Sequence, residues 1–483
     1  MNWQEYISIK LNLHENANKI ILDKTGLIKS DAFISHLKSN NKNFYISRSI
    51  LEILKILNRN ENAIIITDLP LVSLPSSVQQ KSELIVFNYS DLPFNLPSQF
   101  YERLTIDEII KSLEYIVHKN IKIDILKKYT IKDILNEASK FSLNAHYSWH
   151  LEMLAELLNQ EINYNSILQI GYSFGYLNYL AWLTHQKPKD ELLEKVDSNV
   201  SQYILSDKLK NAFYEPLSTF KTVDKIRNYI KSQQKQKIAL ICFDGMGVAE
   251  WFLLKDYLKQ GNFSFNERFV FSMIPSNTLI SRSAIFYGNL ETVYNLSYSN
   301  EEKELNEYFE NYFVKFYRQE DHLDHKNLLG VDFVCIIYNI FDDIAHNTQL
   351  PPDNKNKNIY FINVRNYLEK SKILNSINTL VKNKYHIYIC SDHGCVVARG
   401  NNQKIDKWLQ DQYCKRACIV KNDELIQNLN HLDCDRIEIP FDNTRLVLLA
   451  KNRTMFDSDK KIGITHGGIT VEEIVVPFIE VNA

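Results

Sequence analysis

Residues Ile238 to Trp251 read IALICFDGMGVAEW. The apolar run Ile238–Phe243 stops at Asp244, Gly245, Met246 and Gly247, and helical spacing begins at Val248. An unbroken apolar run of that kind is the pattern of a strand buried on both faces of a parallel sheet. In open α/β sheets, ligands gather beyond the carboxyl ends of the strands, which is where Asp244 falls. Taken alone, this aspartate would serve equally well to cap the next helix. Outward from it, the C-terminal half supplies PSNTLISR (275–282), FDDIAH (341–346), SDHG (391–394) and THGG (465–468), in that order.

The elements around these fragments alternate. Arg268–Ile274, Phe333–Tyr338 and His386–Cys390 read as strands, with Arg436–Ile439, Arg445–Ala450 and Val471–Ile479 closing the sheet. Asn277–Tyr287 and Ile359–Val381 read as helices. Asp244, Thr278, Asp342 with His346, and Asp392 with His393 each follow an apolar strand. His466 lies in the Gly-rich turn before Val471, so the topology can gather all of them at one sheet edge. Carboxylate oxygen and imidazole nitrogen, without thiolate, suit Zn²⁺ or Mn²⁺. Two such ions roughly 4 Å apart clamp the attacking and leaving oxygens of an in-line displacement at phosphorus. Glycine is scarce, at 13 residues, yet Gly245, Gly247, Gly394, Gly463, Gly467 and Gly468 lie in or beside these motifs. Glycine belongs where backbone takes unusual angles or approaches a ligand closely.

With 483 residues, 45% hydrophobic and 24% charged, the chain fits a globular protein of two or three domains. A formal net charge of -2 gives no global drive toward nucleic acid or an acidic membrane, leaving only a local basic groove. The opening MNWQEYISIK lacks the basic-then-apolar order of a secretory signal, and no apolar run reaches membrane-spanning length. A cytoplasmic protein without a membrane partner is expected. The 7 cysteines all lie in the second half and lack dense spacing, which reads as free thiols in a reducing compartment. Cys414 and Cys418 have no second pair to complete a metal site.

Residues 1–100 suggest a small α/β domain, with strands at Lys19–Asp23, Asn43–Ile46, Ala63–Thr67 and Leu84–Phe87. Asp23 and Asp68 end strands as a phospho-acceptor would, but the accompanying acidic pair and Lys are not in convincing order; a scaffold or partner-binding role fits better. Residues 101–232 read as helical, through Ile106–Val117, Ile131–Phe141, Ser148–Leu158 and Tyr172–Thr184. His146 and His150 stand four apart with no acidic partner, as an ordinary His pair would. Residues 233–483 form the last domain. The long polar stretches Tyr298–His325 and Arg399–Asp435 read as insertions at the carboxyl edge, where a lid or substrate-selecting cap belongs.

The marks FDGMG, PSNT followed by SR, the D-x-x-x-H of Asp342 and His346, SDHG, and THGGITVEEIVVPFI resemble the alkaline phosphatase superfamily. Within it they resemble the PglZ domain of bacterial phage-defence (BREX) systems and of some response regulators. The resemblance covers residues 233–483. It implies an alkaline-phosphatase-like α/β/α sandwich binding two divalent ions. One ion would be held by Asp342, His346 and His466. The other would be held by Asp244, Asp392 and His393, with Thr278 as a nucleophile touching that ion. Spacing selects Asp342 over Asp343, which is left as a neighbouring group or helix cap. Ser276 is the rival nucleophile. Arg282, four residues beyond Thr278, either grips a phosphoryl oxygen or is a solvated or sheet-packing side chain.

These features imply a two-metal phosphoryl-transfer hydrolase working through a phosphothreonine, on nucleotides, cyclic nucleotides or nucleic acid. Thr278 argues against a sulfatase, which needs a maturable Cys or Ser. A phosphomonoesterase, or a non-catalytic assembly or sensor component with partners on the N-terminal half, are the alternatives. Tyr308, Tyr312, Phe313, Phe316, Tyr317, Trp408 and Tyr413 in the insertions either stack on bases or pack a small cap.

Overall fold

The structure is a computed structural model. It describes residues 2–482 apart from 41, 60–61, 93–103, 120–130, 188–189, 207–219, 262, 297, 320–322, 353–355, 406–413, 421–428 and 440–441. Trp408 and Tyr413 therefore lie outside the described residues. The chain forms two compact units, Met1–His146 and Tyr147–Ala483.

In the first unit, β1 (Lys19–Asp23), β2 (Phe44–Ile46), β3 (Ile64–Thr67) and β4 (Glu83–Phe87) form a parallel sheet of order β2-β3-β1-β4. All four strands fall where the apolar runs place them. Asp23 is spent locally: its Oδ1 accepts from the Thr25 and Gly26 amides and the Thr25 hydroxyl, and its Oδ2 from the Ile28 amide. A carboxylate so occupied shapes its loop and is not poised to accept a phosphoryl group. Asp68 is paired with Lys29 and Arg48.

A single helix, Ile131–Leu157, stands where the spacing suggested two, since Ser142–Tyr147 contains neither Gly nor Pro to interrupt it. His150 is buried, with the Tyr176 ring edge-on at 4.6 Å, in an aromatic rather than a metal-binding setting.

The second unit contains β5 (Ile238–Phe243), β6 (Ser264–Phe271), β7 (Val314–Arg318), β8 (Phe333–Tyr338), β9 (His386–Ser391) and β10 (Val396–Gly400). It continues through β11 (Ala417–Val420), β12 (Cys434–Ile439), β13 (Asp442–Ala450), β14 (Thr454–Met455), β15 (Ile462–Thr465) and β16 (Val475–Asn482). The main sheet has the order β6-β16-β9-β5-β8-β7. β5 runs parallel between β8 and β9, while β16 is antiparallel to both β9 and β6. Every residue of β5 and β8 is buried, as the continuous apolar runs require.

Several expectations give way to local chemistry. Arg436–Ile439 and Arg445–Ala450 do not close the main sheet; as β12 and β13 they join β11 in a separate antiparallel sheet. The alternating burial of β12 suits a sheet with one wet face. Val471–Ile474 is a helical turn before β16, started by a capping box in which Thr470 and Glu473 satisfy each other's backbone amides. The long helix expected over Ile359–Val381 is two, Asn358–Lys370 and Ile373–Lys382. They break at extended Ser371, whose hydroxyl accepts from the Ile373 amide at 3.4 Å. Tyr298–His325 supplies the edge strand β7 as well as the helix Glu301–Tyr308.

The helix Tyr164–Thr184 is buried on most sides and packs against the helix Val248–Leu258. Gly171 and Gly175 lie one turn apart on it, and a Cβ there would meet Val475 at 2.6 Å and Val248 at 2.5 Å. Close approach of backbones explains these two glycines, which no motif required. The division at 146 thus puts part of the helical stretch with the C-terminal fold. Boundaries near 100 and 232 remain a proposal about which segments fold alone.

Candidate active site

The carboxyl ends of β5, β8 and β9 release Asp244, the Asn339–Asn347 turn and helix, and Asp392–His393 at the same edge. The turn after β5 is tight: Gly245 has φ +76, and a Cβ there would meet Asp342 at 3.0 Å. The Asp342 amide donates to the Asp244 carbonyl at 3.2 Å, fixing one ligand-bearing segment on the other. Asn277 caps the Thr278–Tyr287 helix by accepting from the Ile280 amide, which leaves Thr278 as its first residue.

Two donor groups result. Asp342, His346 and His466 offer atoms that all lie within 4.8 Å of one another, and so do Asp244, Asp342 and His393. Asp342 belongs to both: its Oδ1 lies 3.1 Å from His346 Nε2 and 3.6 Å from His466 Nε2. His393 and His466 stack with centroids 4.1 Å apart. The second group differs from the expected set by having Asp342 where Asp392 was implied. Asp392 spends Oδ1 on the Gly245 and His393 amides, while its buried Oδ2 has no hydrogen-bonding partner. Thr278 Oγ1 sits 3.0 Å from His393 Nε2 and 3.4 Å from Asp244 Oδ1.

Arg282 reaches the site in an unexpected role. Its Nη1 donates to Asp244 Oδ2 at 2.8 Å and to Asn339 Oδ1 at 3.3 Å, and its Nε faces Glu301 Oε1 at 3.4 Å. The guanidinium therefore holds the outer oxygen of a ligand and is charge-balanced by two carboxylates. The side chain is thus drawn into the site and not solvated, and its grip on a phosphoryl oxygen stays a proposal. Ser276 is turned away: its Oγ donates to the Gly468 carbonyl at 2.8 Å and accepts from the Gly467 amide at 3.2 Å. Asp343 is not in either donor group; burial and the neighbouring Asp342 push its carboxyl upward.

The electrostatics are those of a site wanting cations. Burial and the adjacent Asp244 push Asp392 up to about 7. Burial opposes charge on Asp244, yet Arg282, His393 and His466 outweigh it and hold the carboxyl well below its usual range. Burial likewise opposes charge on His393, but Asp392 and Asp244 carry it up to about 10, so it bears a proton in the metal-free protein. Burial and that neighbouring charge drive His466 down to about 4. Asp342 Oδ1, Asp392 Oδ2 and His466 Nε2 are buried without hydrogen-bonding partners. Orphaned carboxylate and imidazole atoms facing one another are costly unless cations join them. Oxygen and nitrogen donors in this mix fit Zn²⁺ or Mn²⁺.

The motif glycines behind the site are packing devices. A Cβ on Gly394 would stand 2.0 Å from the Glu472 carbonyl oxygen, and one on Gly247 would stand 3.0 Å from the same oxygen. Sequence reasoning missed Glu473, Arg416, Glu301 and Asn339; Glu473 alone had a signal, the T-x-x-E capping pattern at 470–473.

Residues 222–481 match the family of the BREX system PglZ alkaline phosphatase-like domain. The chain belongs to the PglZ family. Its alkaline-phosphatase-like fold holds the β5 turn, the Thr278 helix and the β9 turn of the PglZ domain at one edge. Among solved structures, phosphonoacetate hydrolase from Sinorhizobium meliloti 1021 is 14% identical with a TM-score of 0.35, covering 51% of this chain and 90% of that one. Human ectonucleotide pyrophosphatase / phosphodiesterase 5 is 11% identical with a TM-score of 0.33, covering 51% and 88%. No curated protein matches the chain. Among the described residues, no helix is long and apolar enough to cross a membrane.

Proposed function

We propose that this PglZ protein is a metal-dependent phosphodiesterase that acts on nucleotides, cyclic nucleotides or nucleic acid through a phosphothreonine. The observation that carries this is the position of Thr278, its hydroxyl within 3.4 Å of both Asp244 and His393 at the first residue of a helix. Asp342, His346 and His466 would hold one ion, and Asp244 and His393, with Asp342 or Asp392, a second. Such ions lower the pKa of a bound hydroxyl or water and offset charge on phosphoryl oxygens. The chain's own contribution is alignment. Asn277 and the helix start aim Thr278 Oγ1, and Arg282 fixes Asp244. The N-terminal end of this helix and its dipole favour an anionic phosphoryl group.

The Thr278 oxygen attacks phosphorus as the bond to the leaving alcohol breaks. The threonine proton passes to solvent, and the alkoxide takes one from solvent. Water then attacks the phosphothreonine, restoring the hydroxyl. A monoester dianion asks for free cationic groups at its oxygens, whereas Arg282 is already matched by Asp244 and Glu301. That charge balance favours the diester. A place in a phage-defence system is part of the proposal and rests on the family's description as a BREX component.

The test is a panel of mono- and diesters with Zn²⁺ and with Mn²⁺. Bis(p-nitrophenyl) phosphate is expected to show a higher kcat/KM than p-nitrophenyl phosphate, and Thr278→Ala to lose on the order of 10³-fold or more in kcat. A clear monoester preference moves the protein to the phosphatase branch. Metal binding without turnover of any ester favours an assembly or sensor role.

A further inference from the structure

His466 closes the first donor group from a Gly-rich loop. Gly467 takes φ +110, Gly468 follows, and no regular element begins until Val471. The His466 ring is tethered through Nδ1, which lies 3.1 Å from the Ser276 carbonyl oxygen. Ser276 Oγ accepts from the Gly467 amide and donates to the Gly468 carbonyl, and one carboxylate grips the remainder of the loop. Glu473 Oε1 accepts from the Gly468 amide at 2.8 Å, and Oε2 accepts from the Thr470 amide at 3.1 Å and its hydroxyl at 2.7 Å.

Glu473 is fully buried and has a single charged partner among the described residues, Arg416, itself fully buried. Arg416 Nε donates to Glu473 Oε1 at 2.8 Å. Its other nitrogens donate to the Asn452 carbonyl at 2.7 Å and to the Thr454 carbonyl. Arg416 adjoins β11, so it arrives from the small sheet built around the 399–435 insertion. The fit leaves no slack: a Cβ on Gly468 would meet the Arg416 guanidinium at 2.4 Å.

We propose that Arg416 and Glu473 are positioning residues for His466, a planar clamp by which the insertion sheet sets the geometry of the Asp342, His346 and His466 site. This rests on the metal-site reading above. The ion pair alone would stabilise any fold. The distinguishing feature is that both Glu473 oxygens are committed to the loop immediately following His466. Groups that orient a metal ligand through its surroundings typically change metal affinity by about 10–100-fold when altered.

The experiment is a Zn²⁺ titration of the metal-free full-length protein, resolving two affinities, for wild type, Glu473→Gln, Arg416→Lys and Glu472→Gln. Glu472 is the control: it lies on the same helical turn and is also largely enclosed by ion pairs, with Lys357 and Arg453, but among the described residues its side chain bonds to Asn178 and not to residues 466–470. Glu473→Gln and Arg416→Lys are each expected to weaken one of the two affinities about 10–100-fold and leave the other within about threefold. Glu472→Gln should leave both affinities unchanged, whatever it does to melting temperature. If Glu473→Gln does not fold, Arg416→Lys, which keeps the charge and loses the planar fork, reads the same quantity. Wild-type affinities at both sites in a folded Arg416→Lys or Glu473→Gln protein overturn the clamp. Wild type that binds no Zn²⁺ overturns the metal-site reading instead.

Discussion

Asp342 is the carboxylate on which the two donor groups meet, and that gives it a signature no other ligand shares. Removing His466 takes one donor from one group, while removing Asp342 takes one from both. Elemental analysis is therefore expected to find about two ions per chain in wild type. His466→Ala should keep about one, and Asp342→Asn should keep substantially less than one. Equal losses in the two variants would mean that Asp342 is not shared. At this scale the sequence was informative about which residues converge and silent about their mutual roles. Asp244, Thr278, Asp342, His346, Asp392, His393 and His466 lie together because the turns and helix starts that follow the strands, and the Gly-rich turn of His466, meet at one sheet edge. Arg282 was legible as a neighbour but not as a partner of Asp244, because its orientation depends on Glu301 and Asn339, brought in by other elements. Arg416 was invisible for the same reason: its partner is 57 residues away.

At the scale of elements, the site depends on how closely three turns can approach. Gly394, after β9, and Gly247, after β5, both press on the Glu472 carbonyl that begins the route into β16. A methyl group at Gly394 has only backbone to push against, so Gly394→Ala is expected to destabilise by about 3 kcal/mol. Gly463 in β15 also adjoins a motif, but a Cβ there meets nothing within 4 Å. Gly463→Ala should stay within about 0.5 kcal/mol of wild type. Chemical denaturation of both variants checks this, and equal costs would contradict the packing account. Strands buried on both faces, such as β5 and β8, were legible because periodicity and burial agree. The second sheet was not, since the residues of β12 and β13 look alike whether they extend the main sheet or form another. Short-range chemistry decided the remaining differences, through the Thr470–Glu473 box and the Ser371 break.

For the whole molecule, the helix Tyr164–Thr184 decides what counts as the catalytic unit. It covers the helix Val248–Leu258 through Gly175 and an aromatic layer in which Tyr176 and Phe252 approach to 4.3 Å. A fragment of residues 147–483 is expected to be soluble, to bind metal and to retain most of the turnover. A fragment of residues 233–483 is expected to aggregate, because deleting that helix exposes the apolar face beneath it. Soluble, active 233–483 would restore the domain boundary at 233. The central claim concerns Thr278, and it is tested most directly by acid-quenching the Zn²⁺- or Mn²⁺-loaded protein during turnover of bis(p-nitrophenyl) phosphate. Fragment-ion mass spectrometry then locates the phosphoryl adduct on the segment 269–282, which contains both Ser276 and Thr278. The expected result is a p-nitrophenyl phosphate adduct on Thr278, absent from Thr278→Ala. An adduct on Ser276, or steady turnover with Thr278 unmodified at every quench time, would contradict it.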